Sequence, residues 1–506
     1  MFAALTSRLL DARFRAIFDR WSTWAIVALA AALRFYNLGY PHALVFDETY
    51  YVKDAISLTA TGFEHSWPAN ADTMFASGTA PNFSPDGSFV VHPPLGKWLI
   101  GLGIQVFGIN NSFGWRFATA LLGTLTVLLV ILIGKRLFRS NYWAAAAGFF
   151  MAIDGLAIVM SRTALLDGIL GFFVALATYF VIRDRDQLDS SMWRRPWLIA
   201  AGVAFGAASA TKWSGVYFLA FFGIYLVAST ALEQRAALRQ IAVALGSSET
   251  GFTWGSQLKQ AVAKFVLLVP VASATYIATW TGWLTTSGGY DRGWADDPAN
   301  RWTGLLSWVP IPLQSLWHYH ADAYAFHMGL RTPHAYASSP LIWLLQIRPV
   351  SFFYQGASLG QSGCAADGGC SSAITALSNV LLWWAALAAI VFLAVIYLKR
   401  RDRVAGLLLL GVAAGYLPWM LYLHRTVFQF YIVAFEPFVV LALAYALAVL
   451  WRQTEPDARA AAVRTYLIFG VALVAFSAFF TTIWFFWNFL ITNLICHWKL
   501  IKLFII

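Results

Sequence analysis

The fold is decided by residues 24–51, which read WAIVALAAALRFYNLGYPHALVFDETYY. The first part, Trp24 to Tyr36, is apolar, and together with its flanks it is long enough to cross a bilayer. The chain then leaves the lipid and reaches two adjacent carboxylates, Asp47 and Glu48, in an aromatic setting. Carboxylates beside a membrane cost free energy of desolvation, so a pair in this position is a candidate functional site.

A structural role for the same pair is also open. Either carboxylate could cap the helix that runs on to Ile56, by accepting hydrogen bonds from its first backbone N–H groups. The pair alone therefore does not separate a functional role from a helix cap.

Composition points to the membrane along the whole chain. The 506 residues are 59% hydrophobic and 17% aromatic, and only 12% are charged. A soluble protein of this length would need far more polar surface, so we predict an all-α polytopic membrane protein. The net charge of +11 does not indicate nucleic-acid binding, because the basic residues fall in short clusters between apolar spans.

Hydropathy predicts eleven membrane spans with the N-terminus in the cytoplasm. Under this count every basic cluster, including Lys399 to Arg403, lies on the cytoplasmic side, as the positive-inside rule requires. The predicted spans are Trp24–Tyr36, Ser112–Gly134, Tyr142–Met160, Leu165–Ile182, Trp197–Ala210, Ser214–Ala231, Phe265–Thr281, Ile374–Leu398, Val404–Leu423, Val427–Leu450 and a last one from Tyr466 onward.

These spans divide the chain into three parts. Residues 1–23 are amphipathic and basic and are expected to lie on the cytoplasmic surface. The membrane domain covers residues 24–490, with two long outer loops at residues 37–111 and 282–373, and residues 491–506 form a tail. All nine histidines fall outside or at the outer face, which indicates that the polar chemistry is extracytoplasmic.

Several cations are predicted to lie near the acidic pair. The prolines of the motif HPPLGK, residues 92–97, would hold His92 and Lys97 rigidly at the membrane surface. Lys97 suits an anionic headgroup, and a snorkelling interfacial lysine is an equally good reading. Arg425, in a short outer turn, is a candidate phosphate contact.

Two arginines lie inside predicted spans. Arg116 is one turn into the second span, and a guanidinium at that depth needs an anion from the protein or a lipid phosphate. Arg34 raises the same question, and its pairing with Glu48 competes with a role in substrate binding. A pair of Arg162 with Asp167 would be structural. Several cations around one acidic pair describe a site for an anionic lipid-linked substrate.

The second outer loop carries two further features. His320 and Asp322 could be zinc ligands with His327, but the interleaved aromatic residues favour a helix packed on the membrane surface. Cys364 and Cys370 flank a Gly-rich turn on the oxidising side, which indicates a local disulfide. We expect no metal site and no cofactor.

With these segments the chain resembles the protein O-mannosyltransferases, in particular the actinobacterial-type members, which are similar to other GT-C glycosyltransferases. The matching motifs cover the chain from about residue 34 to residue 437. They are residues 34–41 (RFYNLGYP) leading to 46–48 (FDE), 92–97 (HPPLGK), 116–117 (RF), 161–162 (SR), 165–167 (LLD), 211–215 (TKWSG), 281–283 (TGW), 348–350 (RPV) and 425–428 (RTVF).

The resemblance implies a GT-C fold and transfer of mannose from polyprenyl-phosphate mannose to Ser or Thr of exported proteins. It implies that Asp47 is the base and that Arg116 takes part in substrate binding. We expect Glu48 to belong to the substrate-binding site, where it orients the loop or the acceptor. The second outer loop lacks the β-trefoil inserted in eukaryotic members, so acceptor recognition must differ. The tail after about Thr482 also departs from the family's ending.

Direct attack opposite the leaving phosphate would invert the anomeric centre. The expected partners are the lipid-linked donor, exported acceptor proteins, membrane lipid and the protein export machinery, and no nucleic acid. The expected location is the plasma membrane, with the active site outside. One alternative is a related enzyme that moves another polyprenyl-linked sugar to lipid or glycan. A transporter is a second alternative, but it would need charges at mid-membrane and paired broken repeats.

Overall fold

The structure is a computed structural model that describes residues 12–187, 191–246, 253–361 and 370–485. Helices dominate it, and two strands form one small antiparallel sheet. The helices are α1 (Ala12–Phe35), α2 (Glu48–Thr61), α3 (Ala71–Ala76), α4 (Leu95–Phe107), α5 (Ser112–Phe138), α6 (Asn141–Ile153), α7 (Gly155–Arg162), α8 (Leu166–Arg185), α9 (Pro196–Thr211), α10 (Gly215–Ala244), α11 (Trp254–Thr279), α12 (Thr281–Thr285), α13 (Ile311–Gly329), α14 (Val380–Arg400), α15 (Arg403–Tyr416), α16 (Glu436–Gln453) and α17 (Arg459–Phe485); the strands are β1 (Ser351–Ala357) and β2 (Cys370–Thr375).

The chain is a multi-pass membrane protein. In the described part, nine helical segments are long and apolar enough to cross a membrane, and a tenth span forms if α6 and α7 are taken together. The remaining predicted span, the fifth, is α9, which has only 16 residues. The eighth span begins at Val380 instead of Ile374, because residues 370–375 pair with β1 in the sheet.

The predicted third span is broken at Asp154, where α6 and α7 meet at an angle of 58°. A break inside the bilayer leaves backbone groups that need other partners. The Asp154 carboxylate accepts a hydrogen bond from Leu156 N (3.0 Å), which caps α7, and another from Asn379 N (2.8 Å) at the start of α14. One buried side chain therefore stabilises both helix ends.

The core centres on α5, which packs against α1, α4, α6, α7, α8 and α16. Its close approach to α7 depends on Gly123, where a Cβ atom would lie 2.0 Å from the Ser161 hydroxyl oxygen. This packing brings the C-terminal ends of α1 and α7 together with the N-terminal half of α5, next to the loop that carries Asp47.

The two outer loops pack on each other. The Tyr319 hydroxyl, on α13, donates to Val90 O (2.7 Å) and accepts from Val90 N (2.9 Å) in the first outer loop. Trp280 and Trp283, at the end of α11 and in α12, pack against the Tyr319 ring. These contacts hold the second outer loop against the first.

Candidate active site

The acidic pair lies where the loop after α1 turns into α2. Phe46 precedes it with a φ of 50°, a left-handed conformation that costs free energy in a non-glycine residue. The Phe46 ring stacks on Phe352 at 4.8 Å and meets Phe430 edge-on at 5.7 Å, which holds the strained turn. The two carboxylates after it consequently point into different surroundings.

Glu48 is fully buried and accepts four hydrogen bonds. Two come from Arg116, at 2.8 Å from Nε and 2.8 Å from Nη2, and the others come from Val45 N (3.0 Å) and Ala164 N (2.8 Å). Charge-assisted hydrogen bonds of this kind hold the carboxylate in one orientation. Glu48 therefore joins the first outer loop to α5 and to the turn before α8, and it orients the loop as the sequence suggested.

Arg116 has no donor left for a substrate. Besides its two bonds to Glu48, Nη1 donates to Leu38 O (3.2 Å) and Pro41 O (3.0 Å), and Nη2 donates to Ala43 O (2.9 Å). A guanidinium has five N–H groups, and all five are bound to protein acceptors. The expectation that Arg116 binds the substrate phosphate is therefore corrected, because this side chain positions the loop that presents Asp47.

The alternative pairing of Arg34 with Glu48 is wrong. Arg34 is completely buried and donates to Ser161 Oγ (3.2 Å) and to the backbone carbonyls of Met151 (3.2 Å) and Ala152 (3.4 Å). It therefore holds α1 against α6 and α7 and is closed to a substrate. Its expected substrate-binding role is corrected to a structural one.

The suggested pair of Arg162 with Asp167 is also wrong. Arg162 donates to the backbone carbonyls of Tyr36 (2.7 Å) and Arg34 (3.0 Å) at the end of α1. Asp167 is bound instead by Lys212, whose Nζ lies 2.8 Å from both carboxylate oxygens. Arg162 therefore binds backbone carbonyls at the end of α1, and Asp167 forms its ion pair with Lys212.

Asp47 is the carboxylate of the pair that remains available. Its side chain forms no cap hydrogen bond with α2, which removes the capping alternative. Burial raises the pKa of Asp47 to about 6, the charge of Lys212 opposes that shift, and the charge of Asp167 adds to it. A partly buried carboxylate with a pKa near neutrality is suited to accept a proton.

Lys212 is a residue of the site to which the sequence analysis gave no role. Its Nζ is held by Asp167 and lies 4.3 Å from the centre of the Tyr431 ring. Its charge acts on Asp47, His92 and His327. The motif TKWSG at residues 211–215 could have drawn attention to this lysine. Its pairing with Asp167 could not be read from the sequence.

Arg425 is the cation that fits the expected contact with an anion. Its Nη2 donates to His327 Nδ1 (2.9 Å), and its buried Nε has no hydrogen-bond partner among the described residues. His327 Nε2 donates in turn to Val91 O (3.1 Å). Burial and the Arg425 charge lower the pKa of His327 to about 4, so this histidine is neutral and leaves the Arg425 charge uncompensated.

His92 lies beside this pair, with its ring 5.4 Å from that of His327 and 6.0 Å from that of Tyr51. Burial lowers the pKa of His92 well below its usual value, and the charge of Lys212 adds to this effect. A neutral His92 is available as a hydrogen-bonding group at the edge of the site, which agrees with its expected position.

Lys97 is not available to a substrate. It is completely buried, forms an ion pair with Glu64 and lies 3.8 Å from Asp54. Burial raises the pKa of Asp54 to about 7. The charge of Lys97 opposes this shift, and the charge of Glu64 adds to it. The expectation that Lys97 binds a headgroup is therefore corrected, because this lysine is enclosed by protein and paired with Glu64.

The suggested zinc ligands on α13 do not converge. His320 Nε2 is 2.6 Å from the Tyr276 hydroxyl, whereas His327 binds Arg425 and Asp322 faces His318. The set of His320, Asp322 and His327 is therefore wrong as a metal site.

The proposed disulfide stays a prediction. Cys364 lies outside the described residues, and Cys370 begins β2.

Comparisons with known proteins give the family. Residues 24–285 match the dolichyl-phosphate-mannose-protein mannosyltransferase family, and residues 312–498 match the C-terminal four-transmembrane region of protein-O-mannosyltransferases. The Mycobacterium tuberculosis polyprenol-phosphate-mannose–protein mannosyltransferase is 34% identical, covering 85% of this chain and 81% of that protein. The Corynebacterium glutamicum protein of the same name is 30% identical, covering 85% of this chain and 82% of that protein.

A solved structure supports the fold. The Saccharomyces cerevisiae protein O-mannosyltransferase Pmt1–Pmt2 complex bound to the sugar donor matches with a TM-score of 0.66 at 16% identity, covering 92% of this chain and 90% of that chain. The expected GT-C architecture is thereby confirmed. On the two family matches and these relatives together, the chain belongs to the protein O-mannosyltransferase family of membrane glycosyltransferases.

Proposed function

We propose that this protein transfers mannose from polyprenyl-phosphate mannose to the hydroxyl group of Ser or Thr in exported proteins. The relatives named above carry this donor and a protein acceptor in their names, and the chain covers more than four fifths of their length. Acceptors that cross the membrane unfolded would meet the enzyme there, which makes the export machinery an expected partner.

The observation that carries the chemistry is the contrast between Asp47 and Glu48. Glu48 is saturated by four hydrogen bonds, whereas the carboxylate of Asp47 makes none with the start of α2 and has a pKa near 6. At neutral pH Asp47 is mostly ionised. It can therefore accept the proton of an acceptor hydroxyl as the oxygen forms its bond to C1 of the mannose.

The bond between C1 and the phosphate oxygen breaks in the same step, and the phosphate leaves on its lipid with the bonding electron pair. Arg425 stabilises that charge, because its Nε has no hydrogen-bond partner in the described part of the chain and its neighbour His327 is neutral. Lys212, held by Asp167, adds positive potential. Attack from the side opposite the phosphate inverts the configuration at C1.

Arg116 and Arg34 support this step from outside the reacting groups. Arg116 binds the loop before Asp47 through three backbone carbonyls and Glu48, and Arg34 holds α1 beneath it. A base must lie within about 3 Å of the proton that it accepts. The buried network keeps the Asp47 loop at a fixed height above the membrane helices.

The site is proposed to face the extracytoplasmic side of the plasma membrane, with the N-terminus in the cytoplasm. Basic residues end α5 (Lys135 and Arg136) and α14 (Lys399 and Arg400), and such residues favour the cytoplasmic side. Arg116 and Asp47 lie at the other end of α5, which supports an outer active site.

The experiment is a transfer assay with purified protein in liposomes. Radiolabelled polyprenyl-phosphate mannose and a Thr-rich peptide should give a mannosylated peptide, whereas the same peptide with every Thr and Ser replaced by Ala should remain unlabelled. Two further reactions test the alternatives: one replaces the donor with polyprenyl-phosphate glucose, and the other replaces the peptide with a glycolipid acceptor. Label in the glycolipid with an unlabelled peptide would assign the chain to the alternative class that glycosylates lipid or glycan.

A further inference from the structure

Three side chains of types that bind metal ions lie close together in the second outer loop. Asp291, in the turn after α12, meets His318 and Asp322, which are one helical turn apart on α13. One ligand atom of each lies within 4.8 Å of the other two. His318 Nε2 is 3.7 Å from Asp291 Oδ2 and 3.5 Å from Asp322 Oδ2.

The two separations from His318 are close to those between ligands of one ion. A tetrahedral zinc ion with bonds of about 2.0–2.2 Å holds its ligand atoms about 3.4 Å apart. The His318 ring is already oriented, because Trp294 stacks on it at 4.1 Å with an angle of 9° between the planes. A histidine fixed in this way binds a metal with little loss of conformational entropy.

The local charge also favours a cation. In the described part of the chain, neither Asp291 nor Asp322 forms an ion pair with Lys or Arg, and both carboxylates face the His318 imidazole. Arg292 points away and donates to backbone carbonyls of α12.

We propose that Asp291, His318 and Asp322 bind one divalent first-row metal ion, zinc by preference, with water in the fourth position. Imidazole nitrogen and carboxylate oxygen are the donor types that zinc takes in such sites. The half-exposed position of all three side chains allows the ion to enter from solvent. This site shares only Asp322 with the set of His320, Asp322 and His327, whose side chains do not converge.

The ion would connect the turn at Asp291 to α13. His327 is nine residues from His318, and at 100° per residue the two side chains lie on opposite sides of the helix. His327 binds Arg425 and Val91 on its side. The metal would therefore stabilise the helix that holds the Arg425 partner, without contacting Asp47 or taking part in transfer.

The test uses the full-length protein, purified without a histidine tag and stripped with a chelator. Titration with Zn²⁺ in a calorimeter should give one equivalent of saturable binding, and Co²⁺ should give the visible absorption of a four-coordinate nitrogen–oxygen site. Asp322→Asn and His318→Ala should each weaken binding about 100-fold or more. Asp296→Asn removes the same charge from an exposed neighbour in the loop and should bind as the unmodified protein does.

The pH dependence of metal binding by the unmodified protein tests the proposal even if a variant fails to fold. Metal affinity should fall on acidification, because protons compete with the ion for the imidazole and carboxylate ligands. Absence of one-equivalent binding would overturn the proposal. Equal affinity in Asp322→Asn and Asp296→Asn, or no change in affinity between about pH 7.5 and 5.5, would also overturn it. None of these results depends on mannose transfer.

Discussion

The raised pKa of Asp47 predicts the pH dependence of transfer. With a pKa of about 6, about nine tenths of the carboxylate is ionised at pH 7 and about one tenth at pH 5. If Asp47 is the base, kcat/KM should rise about tenfold from pH 5 to pH 7 and then level off. Asp47→Asn should lower the rate by about 10²- to 10⁴-fold at pH 7 and remove this dependence.

The same pKa predicts an opposite effect on stability. The pKa of Asp47 is about 6 in the folded protein against a usual 3.8, so the folded state binds the proton more tightly. The buried charge then destabilises the fold at pH 7 by at most about 3 kcal/mol, and that cost disappears as the pH falls through 6 towards 4. Asp47→Asn should therefore raise the unfolding temperature, whereas loss of a helix cap would lower stability by about 1 kcal/mol.

The assay measures initial rates of peptide mannosylation between about pH 5 and pH 8, normalised to folded protein, with thermal unfolding followed on the same samples. Asp86→Asn is the matched control, because Asp86 is an exposed carboxylate of the same outer loop. Asp54, whose pKa is raised to about 7, could produce a similar acid limb. If the limb persists in Asp47→Asn, or if that variant is well folded and turns over normally, Asp47 is not the base.

Three further predictions follow from the partners of the charged residues. Glu48→Gln leaves Arg116 buried without its counter-charge, so chemical denaturation should show a loss of about 3–5 kcal/mol; unchanged stability would contradict the proposed clamp. Arg425→Ala removes a charge-assisted contact to the donor phosphate and should weaken donor binding about 10- to 100-fold, with Arg425→Lys in between; equal donor affinity would move the phosphate contact elsewhere. Cys364 and Cys370 should resist thiol labelling of intact cells until a reductant is added, and ready labelling without reductant would contradict the disulfide or the outer position of the loop.

The sequence predicted the membrane architecture well, because hydropathy and helix length are local properties. All eleven predicted spans coincide with helical segments, even where the structure breaks one at Asp154 or shortens another to α9. The acidic pair was also found at its correct place, since its position at the end of the first span is visible in the sequence. In the structure the charge of Arg425 acts on His92, and the charge of Lys212 acts on both His92 and Asp47.

Only the tertiary structure decided which charges are paired. Arg116 meets Glu48 over a separation of 68 residues, and Lys212 meets Asp167 over 45. Such pairs depend on how helices rotate and tilt against each other, which hydropathy does not encode. The sequence alone thus determined a membrane enzyme with a carboxylate pair and surrounding cations at one face. Packing decided that Glu48, Arg34, Lys97 and Arg116 are enclosed by protein, while Asp47 makes no cap hydrogen bond and Arg425 Nε has no hydrogen-bond partner among the described residues.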